Sequence, residues 1–168
     1  MCLSVPALAN DFTLFGGFQN PGKITLRSAV SSGTTTAGQI IANPINVGLF
    51  GIRVAHGRVF GAEHTLAYAS NFIDSRSKAF IYNSDILIQA PFPVLKPYVT
   101  AGAGAIIVKG SSLSDIGSKF AVNYGGGLKA FQKGPIGARL DIRGYSLPKV
   151  QDQTLSVIEV SLGVVFRF

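Results

Sequence analysis

The chain has 168 residues, with Lys+Arg 15 against Asp+Glu 8, a formal charge of +7, and 14% charged residues against 47% hydrophobic ones. That length makes one domain with ample material for a core. Mean hydropathy is positive, yet no apolar run reaches the ~18 residues that mark a transmembrane helix. The basic residues form neither a run nor a helical stripe, which argues against a nucleic-acid module. A chain apolar overall but nowhere continuously so suits strands that show lipid at every second residue; a soluble β-sandwich with a rich core is the alternative. Cys2 is the only cysteine, so neither an internal disulfide nor a cysteine metal cage is encoded.

The chain opens with Val5-Pro-Ala-Leu-Ala9, which ends in the small-x-small form of a signal-peptidase site. Residues 1–9 therefore read as the remnant of a signal peptide that lacks its basic and long apolar parts. The mature domain is expected over 10–168, with Cys2 removed. An ordinary N-terminal tail is the competing reading.

Eight strand-like stretches follow, separated by turn chemistry. The first, Asp11–Gln19, puts Phe12, Leu14, Gly16 and Phe18 on one face. A long Ser/Thr/Gly-rich passage comes next, in which Ile24, Leu26 and Gln39–Ile41 hint at a hairpin extending past the bilayer. The second strand, Ile45–Ala55, sends Phe50, Ile52 and Val54 outward and Arg53 inward. His56-Gly57-Arg58 is a tight turn into the third, Val59–Phe72, where Phe60, Ala62, His64, Leu66, Tyr68 and Phe72 oppose Glu63, Thr65 and Asn71. The fourth, Ala79–Ala90, sets Phe80, Tyr82, Ile86 and Ile88 against Asn83, Asp85 and Gln89. Pro91-Phe-Pro93 must leave the ladder, because proline donates no hydrogen bond.

The fifth strand, Pro97–Lys109, is rich in Ala and Gly and shows no clear facing. The sixth, Phe120–Phe131, places Phe120, Val122, Tyr124 and Leu128 outward and Asn123, Gly125, Gly127 and Lys129 inward. The seventh, Ile136–Tyr145, alternates Ala138, Leu140 and Ile142 with Arg139, Asp141 and Arg143, and Leu147–Gln153 leads to the last. In that last strand, Thr154–Phe168, the row Ile158, Val160, Leu162, Val164, Phe166, Phe168 is wholly apolar. The opposite row carries Glu159, Ser161, Gly163 and Arg167. Connections after the second, fourth and sixth strands are short, whereas the others are mostly longer and more polar. Short turns on the side of both termini and long loops on the other are the topology of transmembrane β-barrels.

These eight strands, with Tyr124-Gly-Gly-Gly-Leu-Lys129, Gly134-Pro-Ile-Gly-Ala-Arg-Leu-Asp-Ile-Arg-Gly-Tyr145 and the final Phe168, resemble the outer-membrane β-barrel domain family, in its small eight-stranded OmpA-like group. The resemblance covers residues 10–168. It implies an all-β, eight-stranded antiparallel up-and-down transmembrane barrel in the outer membrane of a diderm bacterium, inserted by the barrel-assembly machinery and monomeric or weakly associated. It implies no single activity, since members are structural, adhesive or small channels. Leu162, Val164, Phe166 and Phe168 resemble the C-terminal signal by which such barrels are recognised for insertion.

Arg53, Glu63, Asp85, Lys129, Arg139, Asp141, Arg143 and Glu159 all fall on inward rows. An eight-stranded barrel is just wide enough for side chains to fill it, and an unpaired buried charge costs several kcal/mol. The expectation is a lumen plugged by ion pairs; a gated small channel for ions or apolar solutes is the second reading. A secreted lipocalin-like barrel is the third, and it would need the apolar rows to face inward. Catalysis is not expected, because the only histidines are His56, in a turn, and His64, on an apolar row. No metal-ligand spacing stands out and no cofactor is implied. Lys23, Arg27, Arg76, Lys78, Lys109, Lys119 and Lys149 fall at or beside the expected external loops, as candidate contacts for lipopolysaccharide phosphates or as solvated loop charges. Phe12, Phe18, Phe60, Tyr68, Phe72, Phe80, Tyr98, Phe120, Tyr124, Phe166 and Phe168 read as aromatic girdles.

Overall fold

The computed structural model describes residues 11–21, 24–26, 40–42, 47–70, 78–109, 118–131, 134–150 and 153–168. Within them the strands are β1 (Asp11–Pro21), β2 (Ile24–Leu26), β3 (Ile40–Ala42), β4 (Val47–Gly57), β5 (Phe60–Ser70), β6 (Lys78–Gln89), β7 (Leu95–Lys109), β8 (Ser118–Phe131), β9 (Ile136–Val150) and β10 (Gln153–Arg167). Eight of these close a barrel in the order β1-β10-β9-β8-β7-β6-β5-β4, and β2 and β3 pair as a separate two-stranded sheet. Every pairing is antiparallel. Closure comes from β1 against β10, with Asp11 opposite Arg167 and Pro21 opposite Val157. Where the ladder is closed it leaves no strand edge, so the backbone polar groups there find partners without water.

The two side-chain rows separate as the alternation requires. The outer face carries Phe18, Phe50, Ile86, Tyr124 and Leu162, each more than 60% exposed. The inner face carries Arg53, Glu63, Lys129, Arg139, Asp141, Arg143 and Glu159, none more than 1% exposed. Arginines at that burial beneath an outer surface of bare leucine and phenylalanine fit lipid outside and a packed lumen inside. A lipocalin-like arrangement needs the reverse facing, and the structure excludes it.

The short turns share one end of the barrel, and each is tied to the last residue of a neighbouring strand. The Gln89 amide donates to the Val59 carbonyl at 2.9 Å, the Phe131 amide to Val94 at 2.7 Å and the Arg167 amide to Pro135 at 2.7 Å. The first of these turns is tighter than the sequence suggests. β4 runs through Gly57, whose φ of +109° suits glycine alone, and residues 58–59 make the whole turn.

Two sequence expectations are corrected. Leu147–Gln153 is not a connection, since β9 continues to Val150 and β10 begins at Gln153, with a register shift between Gln153 and Leu155. β8 is last paired with β9 at Val122–Ser146. Beyond that point β9 is paired with β10 alone, and proline is tolerated where a strand lacks one ladder. The second correction is Tyr98, which is not an interfacial aromatic. It is buried in the lumen at 4% exposure, on the inward row of the Ala/Gly-rich strand whose facing the sequence leaves open. The other described aromatics of the expected girdles lie on the outer row; Phe72 and Asn71 lie outside the described residues, as do residues 1–9.

Candidate functional site: a layered lumen

β9 supplies the centre of the lumen, because Arg139, Asp141, Arg143 and Tyr145 follow one another on its inward row. Arg139 clasps two carboxylates at once. Its Nε and Nη2 donate to Asp141 Oδ2 and Oδ1, both at 2.9 Å. Its Nη1 and Nη2 donate to Glu63 Oε2 and Oε1 at 2.7 and 3.1 Å. Arg143 donates through Nη1 to Asp85 Oδ2 at 2.8 Å, and through Nη2 to Asp141 Oδ1 at 3.1 Å and to Glu63 Oε1. Arg53 reaches across from β4 to Asp141 Oδ2 at 2.9 Å and Glu159 Oε1 at 2.6 Å. Its guanidinium carbon lies 3.6 Å from the centroid of the Phe15 ring, a favourable cation–π contact.

Seven of the eight inward charges read from the sequence thus form one connected web. Lys129 sits to one side, donating to Asp11 Oδ2 at 2.7 Å and Gln89 Oε1 at 3.3 Å. Tyr98 joins the two groups: its hydroxyl donates to Asp141 Oδ1 and accepts from Arg139 Nε at 2.9 Å, and its ring centroid lies 5.3 Å from Lys129 Nζ. Glu159 Oε2 is closed off by the Tyr145 hydroxyl at 2.9 Å and Gln19 Nε2 at 3.1 Å. Asp11, Gln19, Tyr98 and Tyr145 are the members sequence reasoning missed. Parity gives three of them away, since Asp11 and Gln19 alternate with the outward Phe12 and Phe18, and Tyr145 lies two past Arg143. Tyr98 has no such neighbour.

Glycines make the room. A Cβ on Gly125 would lie 2.9 Å from Arg143 Cγ, and one on Gly127 would collide with the Tyr98 ring. In so narrow a lumen, large inward residues on one strand demand their absence on the next.

A second layer lies on the loop side of the web, and nothing in the sequence reading anticipated it. Val47, Leu49, Ala67, Ala69, Ala79, Ile81, Ile106, Ala121, Leu147 and Val157 point inward and pack as one buried cluster. The loop side of the lumen is therefore apolar, whereas the charges lie nearer the short turns, where Ala55, Leu87 and Tyr98 form a smaller buried cluster. An apolar layer of this kind excludes water and ions by desolvation.

The remaining sequence candidates divide. Leu162, Val164 and Phe166 lie along the outer row of β10, with Phe168 just past its end at 75% exposure. Lys78 and Lys109 are exposed and directly opposite one another across β6 and β7; Lys119, opposite Ile106, is half-buried. Lys23, Arg27 and Arg76 lie outside the described residues, as does the side chain of Lys149. His64 is exposed on the outer face with Nδ1 3.3 Å from the Tyr82 hydroxyl, and its ring stacks on His56 at 6.1 Å.

Comparison with known proteins fits this geometry. Among solved structures, Neisserial surface protein A superposes with a TM-score of 0.68 at 12% identity, covering 95% of this chain and 97% of that one. The N-terminal β-barrel domain of Pseudomonas aeruginosa OprF gives 0.57 at 17% identity, covering 93% and 97%. The outer membrane enzyme PagL gives 0.54 at 12% identity, covering 93% and 98%. A surface protein and an enzyme thus share the fold, which by itself carries no activity. No curated protein sequence matches the chain significantly. Residues 1–168 match the family described as outer membrane protein beta-barrel domain; the chain belongs to that family, and its place is the bacterial outer membrane.

Proposed function

We propose that this protein is a closed barrel with a structural and surface-interacting role in the outer membrane, its lumen plugged rather than conducting. The layered lumen carries this reading. Charges paired on the short-turn side and a dry apolar layer on the loop side are two barriers of different physics in series. Opening a water path would require both to part. Re-pairing the arginines alone leaves Ile81, Ile106 and Leu147 in the way. The exposed lysines at the loop end suit contact with the phosphates of outer-leaflet lipopolysaccharide.

The proposal assigns no catalysis. Ser84 stands across from His64 in the β5–β6 register, but the neighbouring Glu63 points into the lumen. Every carboxylate among the described residues does the same, so none of those is placed to orient the imidazole.

Planar-bilayer recording tests the closed reading. The wild-type barrel is expected to be silent, and neutralising Asp141 or Glu159 is expected to leave it silent. Discrete conductance steps from the wild type would overturn the plug and establish a small channel instead.

A further inference from the structure

The outer face is not uniform around the barrel. Phe50, Tyr68 and Phe80 are direct cross-strand neighbours on β4, β5 and β6. Their rings stand 5.4 and 5.2 Å apart between centroids, the first pair tilted and the second edge-on. They form a continuous aromatic ledge across three strands. Below and beside it runs a groove of about 440 Å³, walled by Leu14, Ile52 and Leu66 as well as the ledge, with Gly51 on its floor. Its β1 side stays open because Gly16, opposite Phe50, offers no side chain.

Above the ledge the chemistry changes. Lys78 lies two residues beyond Phe80 on the same face of β6, and Lys109 is its direct partner on β7. Both are exposed. Two like charges directly opposite in an antiparallel pair repel one another, and an anion shared between them removes that cost. The described carboxylates are all inside the lumen, so the outer face presents ammonium groups at the rim with no acidic neighbour among the described residues. Apolar groove, aromatic ledge and paired cations follow one another from mid-membrane to the loop end. That is the order of parts in a lipid whose headgroup bears phosphate.

We propose that this face of β4–β7 docks a phosphorylated glycolipid of the outer leaflet, with a phosphate between Lys78 and Lys109 and an acyl chain in the groove under Phe50, Tyr68 and Phe80. This deepens the surface-interaction reading and is independent of whether the lumen conducts. Lys and phosphate form charge-assisted hydrogen bonds, while the groove takes a chain that a flat barrel wall would leave mobile. Specificity lies in the combination, because a neutral lipid satisfies only the groove and a free phosphate only the lysines.

The chain contains no tryptophan, so Y68W places a lone fluorophore on the ledge and Y124W places one on β8, on another face. Each variant is refolded into phosphatidylcholine nanodiscs, with a heat-dependent gel shift certifying the barrel, and titrated with bisphosphorylated lipid A. F80W replaces Y68W as reporter should the latter fail that check. The ledge reporter is expected to give a saturable emission change that Y124W lacks, and adding K78Q and K109Q is expected to weaken it roughly tenfold, the loss of one or two charged hydrogen bonds. An unsaturable change, an equal change in Y124W, or indifference to K78Q and K109Q would overturn the site. So would an equal response to phosphatidylglycerol or to dephosphorylated lipid A. Silence in bilayer recordings is read separately, so failure of this site leaves the closed-lumen reading untouched.

Discussion

Arg139 and Asp141 are two residues apart on one strand and grip each other through two hydrogen bonds of 2.9 Å. Asp141 at the same time accepts from Arg53 at 2.9 Å and Arg143 at 3.1 Å. One carboxylate therefore serves three guanidinium groups, and D141N leaves all three short of counter-charge. Removing one partner of a buried charge set costs about 3–5 kcal/mol. D141N is expected to lower stability in urea unfolding from lipid vesicles by about that much. E159Q is expected to cost less, because Arg53 keeps Asp141. Unchanged unfolding in both variants would remove the ion-paired plug from the account.

Tyr98 offers a finer test. Its hydroxyl sits between Asp141 and Arg139, so Y98F deletes one donor and one acceptor inside the lumen while keeping the ring. The expected loss is about 1–3 kcal/mol, the cost of leaving buried partners unsatisfied. A girdle tyrosine changed in the same way would lose almost nothing, so a null result by urea unfolding would return Tyr98 to the membrane interface.

Two glycines should respond for different reasons. G125A drives a methyl group to 2.9 Å from Arg143 Cγ and into the Ile142 carbonyl, and overpacking of that kind costs about 1–3 kcal/mol. Gly134, in a short turn, has open space around it but a φ of +111°. G134A should cost only about 1 kcal/mol, the conformational penalty alone. Unfolding midpoints that rank the two in the opposite order would contradict the packing described for the lumen.

The facing of the rows can be checked from outside. Ile142 is 56% exposed between the buried Asp141 and Arg143. I142R puts a guanidinium into lipid and should cost about 2–4 kcal/mol near the bilayer midplane. The same variant of a water-facing residue would be nearly neutral. Urea titration of the variant beside the wild type separates these outcomes, and the boiled and unboiled gel mobilities show whether the barrel still forms.

Much of this architecture was legible in the sequence wherever charge and apolarity alternate cleanly. β9 and β10 announce both rows, because Arg139, Asp141, Arg143 and Glu159 interleave with Leu140, Ile142, Ile158 and Val160. Legibility fails where both rows are apolar. Val47 and Leu49 share parity with the inward Arg53, yet an apolar side chain names no partner, so a single strand cannot say that such residues from neighbouring strands meet as one layer. The apolar layer was invisible for that reason. β7 fails differently: Ala101, Gly102, Ala103, Gly104 and Ala105 are small on both faces, and on the inner one Asp85 and Asn83 crowd the space over Gly102 and Gly104. The partner strand's bulk dictates those residues, and that relation appears only once the strands are paired.

The charged web has one more consequence. A strand that slipped by one residue would turn its charges into lipid, and the bilayer would reject it. A slip by two keeps apolar groups outside, so the membrane is blind to it. Such a slip still moves each inward group about 6.8 Å along its neighbour, far enough to part Arg139 from Glu63 and Arg53 from Glu159. The ion pairs work as a vernier, a second scale that distinguishes settings the coarse one reads as equal. The polar interior thereby encodes assembly: it tells each strand which rung of its neighbour to meet before the cylinder shuts.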